Sequence, residues 1–197
     1  MITMEQELHN RGFRYVAGVD EAGRGPLAGP VFAAAVIMEE DKYIPDIKDS
    51  KKLSEKKREE LFQYITENAV SYAVCSVDES VIDEINILNA TFQAMLGAVN
   101  GLDVTPDYVL IDGNKSKGIE LPHECVVKGD AKVACIAAAS ILAKVSRDRF
   151  ICECEKQYPG YGFAKHKGYG TKVHIEAIKE LGLCPIHRKT FCTKFVE

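Results

Sequence analysis

Between residues 14 and 38, two apolar runs flank a segment, 21–30, in which five of the ten residues are glycine or proline. That layout constrains the fold more than any other feature of the chain. The first run, Arg14-Tyr15-Val16-Ala17-Gly18-Val19-Asp20, is short and contains β-branched residues, as strands do. The second, Val31-Phe32-Ala33-Ala34-Ala35-Val36-Ile37-Met38, is apolar without interruption, the pattern of a strand buried on both faces. A Gly/Pro-rich turn between them allows an antiparallel pair. Downstream, helices and strands alternate. Ser54 can cap a helix running to about residue 69, with Leu61, Ile65 and Ala69 at helical spacing. Residues 70–77 read as a third strand, and Asn86 can cap a helix to about residue 100. Residues 108–112 and 124–127 read as fourth and fifth strands. An alanine-rich helix is expected over about 131–156, broken by Tyr158-Pro159-Gly160-Tyr161-Gly162, and a last helix over 171–181, closed by Gly182. The tail from Cys184 shows no clear period. This order predicts an α/β domain with a mixed five-stranded sheet flanked by helices. A single domain accommodates all 197 residues, with 1–157 as the core and 158–197 as a small helical C-terminal extension.

Several classes fall away on composition. No apolar run approaches the length of a membrane span, and the N-terminal residues lack the basic-then-apolar pattern of a secretory signal. Seven cysteines, an odd number without a tight framework, suit a reducing compartment. Cys152 and Cys154 have no second ligand pair nearby and read as thiols rather than a zinc site. The expectation is a cytoplasmic protein. The net charge of −4 is unevenly spread. Lys48, Lys51, Lys52, Lys56, Lys57 and Arg58 cluster in one segment. Lys165, Lys167, Lys172, Lys179, Arg188, Lys189 and Lys194, with His166, His174 and His187, enrich the last forty residues or so. Such clusters are either solvated faces or an electrostatic footprint for nucleic acid.

Three of the expected strands end in acid, at Asp20-Glu21, at Asp112-Gly113 and at Gly129-Asp130. Strand ends in α/β sheets are where ligands bind. If the strands are neighbours, four carboxylates converge. Such a cluster is unfavourable until a cation neutralises it, and an all-oxygen set selects Mg²⁺ or Mn²⁺ rather than zinc. The alternative is ordinary turn chemistry, since Asp and Gly are common at strand ends. The turn Gly23-Arg24-Gly25-Pro26-Leu27-Ala28-Gly29-Pro30 lacks the Gly-Lys-Ser/Thr of a P-loop. It is either a structural turn or a backbone surface offered to a phosphate or a ribose. Lys51, just before a helix start, can meet a backbone phosphate or simply lie in solvent. Ser140, Lys144 and Asp148 share a helix face, and an exposed ion pair accounts for the last two.

Taken together, several segments resemble one family. Gly18-Val19-Asp20-Glu21-Ala22-Gly23-Arg24-Gly25-Pro26-Leu27-Ala28-Gly29-Pro30-Val31 is similar to the signature of the ribonuclease HII family. Asp49-Ser50-Lys51-Lys52-Leu53, Ile111-Asp112-Gly113, Lys128-Gly129-Asp130-Ala131 and the stretch from Ala137 to Asp148 follow in the family's order. So do Tyr161-Gly162-Phe163-Ala164-Lys165-His166-Lys167-Gly168-Tyr169-Gly170-Thr171 and Pro185-Ile186-His187-Arg188. The resemblance implies a ribonuclease H-like fold and an endoribonuclease that cuts the RNA strand of RNA/DNA hybrids. It implies cleavage 5′ of single ribonucleotides embedded in duplex DNA, leaving 3′-OH and 5′-phosphate ends. It puts the catalytic and metal-binding carboxylates at Asp20, Glu21, Asp112 and Asp130, with two Mg²⁺ or Mn²⁺ ions. Gly23, Arg24 and Gly25 take the part that reads the ribose 2′-OH, and Lys51 lies near the substrate backbone. The stacking tyrosine at the RNA-to-DNA junction falls on Tyr161 by motif position, with Tyr169 as the alternative. The chain opens close to its first strand, and position 130 is Asp rather than Glu, both unlike ribonuclease HIII. No motif in the tail after Thr190 specifies a partner such as a sliding clamp, and nothing asks for an oligomer, so a monomer is expected.

Overall fold

Strand β1 (Val16–Ala22) sits at the middle of a five-stranded sheet whose order is β3-β2-β1-β4-β5. The computed structural model describes residues 3–39, 42 and 53–196. β2 (Val31–Met38) runs antiparallel to β1, and β3 (Ala69–Val77) antiparallel to β2. β4 (Tyr108–Asp112) and β5 (His123–Val126) continue the sheet in parallel with β1. The mixed α/β architecture and the antiparallel opening pair are those the sequence predicts.

Both faces are covered, which explains the uninterrupted apolar run of β2. Successive side chains point to opposite faces. Ala33 and Ala35 join Val19, Val109 and Ile111 beneath α3 (Glu79–Asn100). Ala34 and Val36 face α2 (Glu55–Asn68) and α4 (Ala134–Gln157). The helices come close because the facing residues are small. At Gly18 the approach is closest: a Cβ there would lie 2.1 Å from the backbone carbonyl carbon of Cys135, in the first turn of α4.

Local signals place most helix ends. The Ser54 hydroxyl accepts from the Lys57 amide and starts α2. Thr171 does the same for α6 (Lys172–Leu181) through the His174 amide, and Gly182 at φ 78° ends it. Several elements depart from expectation. α3 begins eight residues before the expected start, because Asp78 caps it through the Val81 amide. Asn86 is nonetheless a cap: at φ 67° it interrupts the helix, and its Oδ1 accepts from the Leu88 and Asn89 amides. The chain therefore has two capped helical segments joined at a kink. A short N-terminal helix, α1 (Met4–Asn10), was not among the expected elements; Thr3 and Gln6 form its reciprocal capping box. Beyond α4 the chain makes α5 (Phe163–His166), α6 and α7 (Lys189–Cys192).

The C-terminal segment packs against the sheet domain through Ala28, Ile151 and Cys154, which share a cluster with Tyr161, Phe163, Ala177 and Ile186. Two of its histidines belong to the interior rather than to a basic surface, His174 being 0% and His187 2% exposed. The Cys184 amide donates to His187 Nδ1 at 2.9 Å, so the proton of that ring sits on Nε2. His187 Nε2 then donates to His174 Nε2 at 3.0 Å, and His174 Nδ1 donates to the Tyr169 carbonyl at 2.9 Å. Both rings are neutral in this chain of bonds. Burial, then the neighbouring His174, pushes His187 down to about 4, and burial also lowers His174. An unfolded histidine takes its proton near pH 6.5, so the unfolded state binds more protons between that pH and about 4. The stability contributed by neutral His187 is therefore present near pH 7 and lost as pH falls. The stability advantage of the wild type over His187→Gln is expected to shrink by about 3 kcal/mol between pH 7 and pH 4. Urea melts at the two pH values measure it, and a constant difference would contradict the neutral-pair assignment.

Candidate active site

The parallel register of β1 and β4 pairs Val19 with Ile111, so the next residues along, Asp20 near the end of β1 and Asp112 at the end of β4, lie side by side at the C-terminal ends of adjacent strands. Glu21 follows Asp20. One carboxylate oxygen from each of Asp20, Glu21 and Asp112 lies within 4.8 Å of the others. Asp130 is not in that group of three. It is buried in a 3-10 turn, Gly129–Ala131, rather than at the end of β5, because Lys128 takes a left-handed conformation at φ 57° and turns the chain first. The same turn aims the Gly129 amide at Asp112 Oδ1, 2.6 Å away.

The cluster is held by fixed donors. The Glu21 amide donates to Asp20 Oδ1 at 2.7 Å, and the Ser140 hydroxyl of α4 hydrogen-bonds to the same carboxylate. Burial, with the charges of Glu21 and Asp112, nevertheless raises Asp20 well above the usual carboxylate range. Glu21 is also raised, mainly by burial, although Arg24 opposes this from 3.4 Å. Three acids so close, two of them with raised protonation constants, form a site that gains by binding a cation. Their donors are all oxygen, which fits a hard divalent ion.

Beside the acids lies the glycine-rich turn, and its support comes from two buried arginines. Arg188 is 0% and Arg147 1% exposed. Arg188 donates to the carbonyls of Gly23 (2.6 Å), Arg24 (3.0 Å), Pro26 (2.9 Å) and Gly29 (2.7 Å from Nη2, 2.9 Å from Nε). Arg147 donates to Ala28, Pro30 and Lys167 carbonyls. The turn must be glycine at residue 23, where φ is +98° and a Cβ would lie 2.1 Å from Arg147 Nε. A buried carbonyl left without a donor costs about 1–3 kcal/mol, so this pair of guanidinium groups fixes the path of the loop. Arg188, grouped in sequence with the basic surface residues, is therefore internal. Arg24 itself remains half-exposed, its side chain at 49%.

Tyr161, the residue expected at the substrate junction, is 6% exposed. Its hydroxyl donates to the Gly182 carbonyl at 2.9 Å, and its ring stacks on Phe163 with centroids 5.2 Å apart. Its ring and hydroxyl are thus engaged in the C-terminal core, so burial disfavours Tyr161 as the residue that stacks on a nucleotide. Tyr169 is 44% exposed and lies by the turn: a Cβ on Gly25 would meet its Cε1 at 3.6 Å. Lys51 lies outside the described residues. Lys144 and Asp148 do form an ion pair, at 2.8 Å, but it is half-buried rather than fully exposed. Reading along the chain marked Ser140 and the Arg147 segment without roles and missed the Gly129 amide. No local pattern separates a buried arginine such as Arg188 from a surface one.

A family model described as Ribonuclease HII matches residues 17–194 of this chain. A ribonuclease HII from Endomicrobium trichonymphae is 61% identical over 192 residues, spanning 97% of this chain and 91% of that protein. One from Acetivibrio thermocellus is 55% identical over 196 residues, spanning 100% and 77%. Among solved structures, the ribonuclease H2 from Pyrococcus horikoshii OT3 superposes with a TM-score of 0.76 at 31% identity, covering 92% of this chain and 96% of that one.

Proposed function

This chain belongs to the ribonuclease HII family, hydrolases that cut RNA/DNA hybrids endonucleolytically with divalent metal and leave 5′-phosphate ends, and from that membership we propose that it cleaves 5′ of single ribonucleotides in duplex DNA by a two-metal mechanism. The observation that carries the reading is the convergence of Asp20, Glu21 and Asp112 within 4.8 Å, next to the Gly23–Gly25 turn. Asp20, Glu21 and Asp112 would hold the cation, with Asp130 as a fourth carboxylate one residue from the amide that fixes Asp112. Bound Mg²⁺ or Mn²⁺ supplies activation of the attacking water and stabilisation of the leaving oxygen.

The chain's own groups do the rest. Ser140 and the Glu21 amide hold Asp20 in one orientation, and Gly129 does the same for Asp112. Fixed carboxylates matter because small misplacements of reacting groups cost large rate factors. Gly23, Arg24 and Gly25 present backbone to the ribose, whose 2′-OH is what distinguishes RNA from DNA at one residue. Tyr169, exposed beside Gly25, stacks at the junction. Lys165 and Lys172, exposed on the C-terminal segment, add sequence-independent attraction for phosphates, as does Lys51.

Duplex DNA carrying one ribonucleotide, incubated with Mg²⁺, Mn²⁺ or EDTA, tests the proposal. Metal-dependent cleavage on the 5′ side of the ribonucleotide is expected. Cleavage of long hybrids alone would refute it. On the single-ribonucleotide substrate, Tyr169→Ala is expected to lower kcat/KM by about ten- to a hundredfold, the worth of one base stack. Tyr161→Phe is expected to leave cleavage unchanged and to reduce stability by about 1 kcal/mol through the lost bond to Gly182. Equal kinetics for the two variants would remove Tyr169 from the site.

A further inference from the structure

We propose that Arg188 is a positioning residue for ribonucleotide recognition: by gathering the carbonyls of Gly23 and Arg24 on one side, it turns the amides of Arg24 and Gly25 out as a paired donor for the substrate's ribose or phosphate oxygens. The inference rests on the ribonuclease reading above and assigns a part to a residue that touches no substrate.

In a trans peptide the C=O and N–H point in opposite directions. Among the described residues no peptide bond is cis. Arg188 Nη2 and Nη1 take the carbonyls of Gly23 and Arg24, at 2.6 and 3.0 Å. The N–H that shares a peptide plane with each carbonyl, on Arg24 and on Gly25, is therefore directed away from the guanidinium. Two further peptides of the loop are engaged internally. The Pro26 carbonyl goes to Arg188, and the Leu27 amide in the same plane goes to the Gly168 carbonyl. The Gly29 carbonyl receives two bonds from Arg188, and the following residue, Pro30, has no N–H. The loop's divided polarity thus leaves outward donors at residues 24 and 25. Two consecutive outward amides make an anion- and hydroxyl-binding concavity.

Only arginine suits this position. Its planar fork serves several carbonyls at fixed angles, whereas a lysine presents one point charge on a flexible stem. The loop is pinned from the other side by the backbone as well, through Arg188 N to the Leu27 carbonyl and Gly29 N to the Ile186 carbonyl. A change at Arg188 therefore rotates peptides within a tethered loop rather than releasing it. The acids whose charges act on Arg188 are Glu79 and Asp83, and Arg147 is the opposing cation. Asp83 is itself engaged by the Lys189 and Thr190 amides, which locks the segment that carries Arg188.

The test is Arg188→Lys in the full chain, assayed on duplex DNA with one ribonucleotide, with Mn²⁺ affinity and thermal melting measured on the same protein. Expected are a cooperative melt, wild-type Mn²⁺ affinity, a little-changed KM and a kcat lower by roughly a hundredfold, the penalty for misplacing a recognised group. Wild-type kcat in a folded variant would overturn the proposal, and so would a kcat loss matched by lost Mn²⁺ affinity, since Arg188 would then act through the carboxylates. Should the variant not fold, the wild type supplies a second measurement. With Ca²⁺ in place of Mg²⁺, the amide resonances of Arg24 and Gly25 should shift with a ribonucleotide-containing duplex and not with the all-DNA duplex. Equal shifts with both would overturn the proposal. Failure of the parent reading looks different, because the wild-type enzyme would then not cut the substrate at all.

Discussion

Replacing Asp112 with asparagine is expected to lower turnover by about a thousandfold or more while leaving hybrid binding nearly intact. The substitution keeps the shape of the side chain, and its carbonyl oxygen can still accept from the Gly129 amide, now at 2.6 Å from Asp112 Oδ1. What changes is charge. A cation held there would lose one of three carboxylates whose oxygens lie within 4.8 Å of one another. Metal in such a site stabilises developing charge by several kcal/mol, which sets the size of the loss. The exposed lysines of the C-terminal segment are untouched. Asp20 should respond as well: the charge of Asp112 helps to raise it, so its pKa in Asp112→Asn should fall. In EDTA the variant should melt no lower than the wild type, since a like-charge repulsion has been removed. Single-turnover cleavage and duplex binding, measured on one preparation, separate these effects. Wild-type turnover of Asp112→Asn in Mg²⁺ would remove this residue from the metal site.

Gly18→Ala should be the most damaging single methyl in the protein. The new Cβ would lie 2.1 Å from the Cys135 carbonyl carbon, 2.3 Å from its oxygen and 2.3 Å from the Ile136 nitrogen. All three are backbone atoms of a buried helix start, so no side chain can swing aside. Overpacking a core costs about 1–3 kcal/mol when side chains can rearrange. Here β1 and α4 must separate, and a loss above that range is expected. The effect reaches the site directly, because β1 carries Asp20 two residues further on and α4 carries the Ser140 that holds it. Gly113→Ala is the useful contrast. Its φ is +117°, yet nothing lies within 4 Å of the added Cβ, so the cost is conformational, about 1–2 kcal/mol. Urea melts of the two variants should rank them clearly, and a Gly18→Ala protein as stable as Gly113→Ala would contradict the close contact of β1 and α4.

Local signals carried far in this chain. Ser54, Thr171 and Gly182 mark helix ends at the positions where their side chains or φ angles close them. The apolar run of β2 announced burial on both faces, and the Gly/Pro-rich turn announced an antiparallel partner. The start of α3 departs from expectation because two caps, Asp78 and Asn86, lie within one apolar pattern, and the hydrogen bonds of the fold use both.

The site divides along the same line. The sequence by itself determined which residues carry charge at strand ends, that the turn after β1 is built of glycine and proline, and which family the whole pattern resembles. Those are properties of neighbours along the chain, written in residue type and spacing. Only the tertiary structure decided which distant groups meet. The parallel register of β1 and β4 brings Asp20 and Asp112 together, while a left-handed Lys128 keeps Asp130 off the end of β5. Burial separates two tyrosines eight residues apart, closing Tyr161 into the core and leaving Tyr169 exposed beside Gly25. It also made Arg188, one of many basic residues near the C-terminus, the internal partner of four carbonyls some 160 residues earlier. The physical reason is that hydrogen-bond partnership and desolvation depend on what surrounds a group in space, and residue type alone does not encode that surrounding.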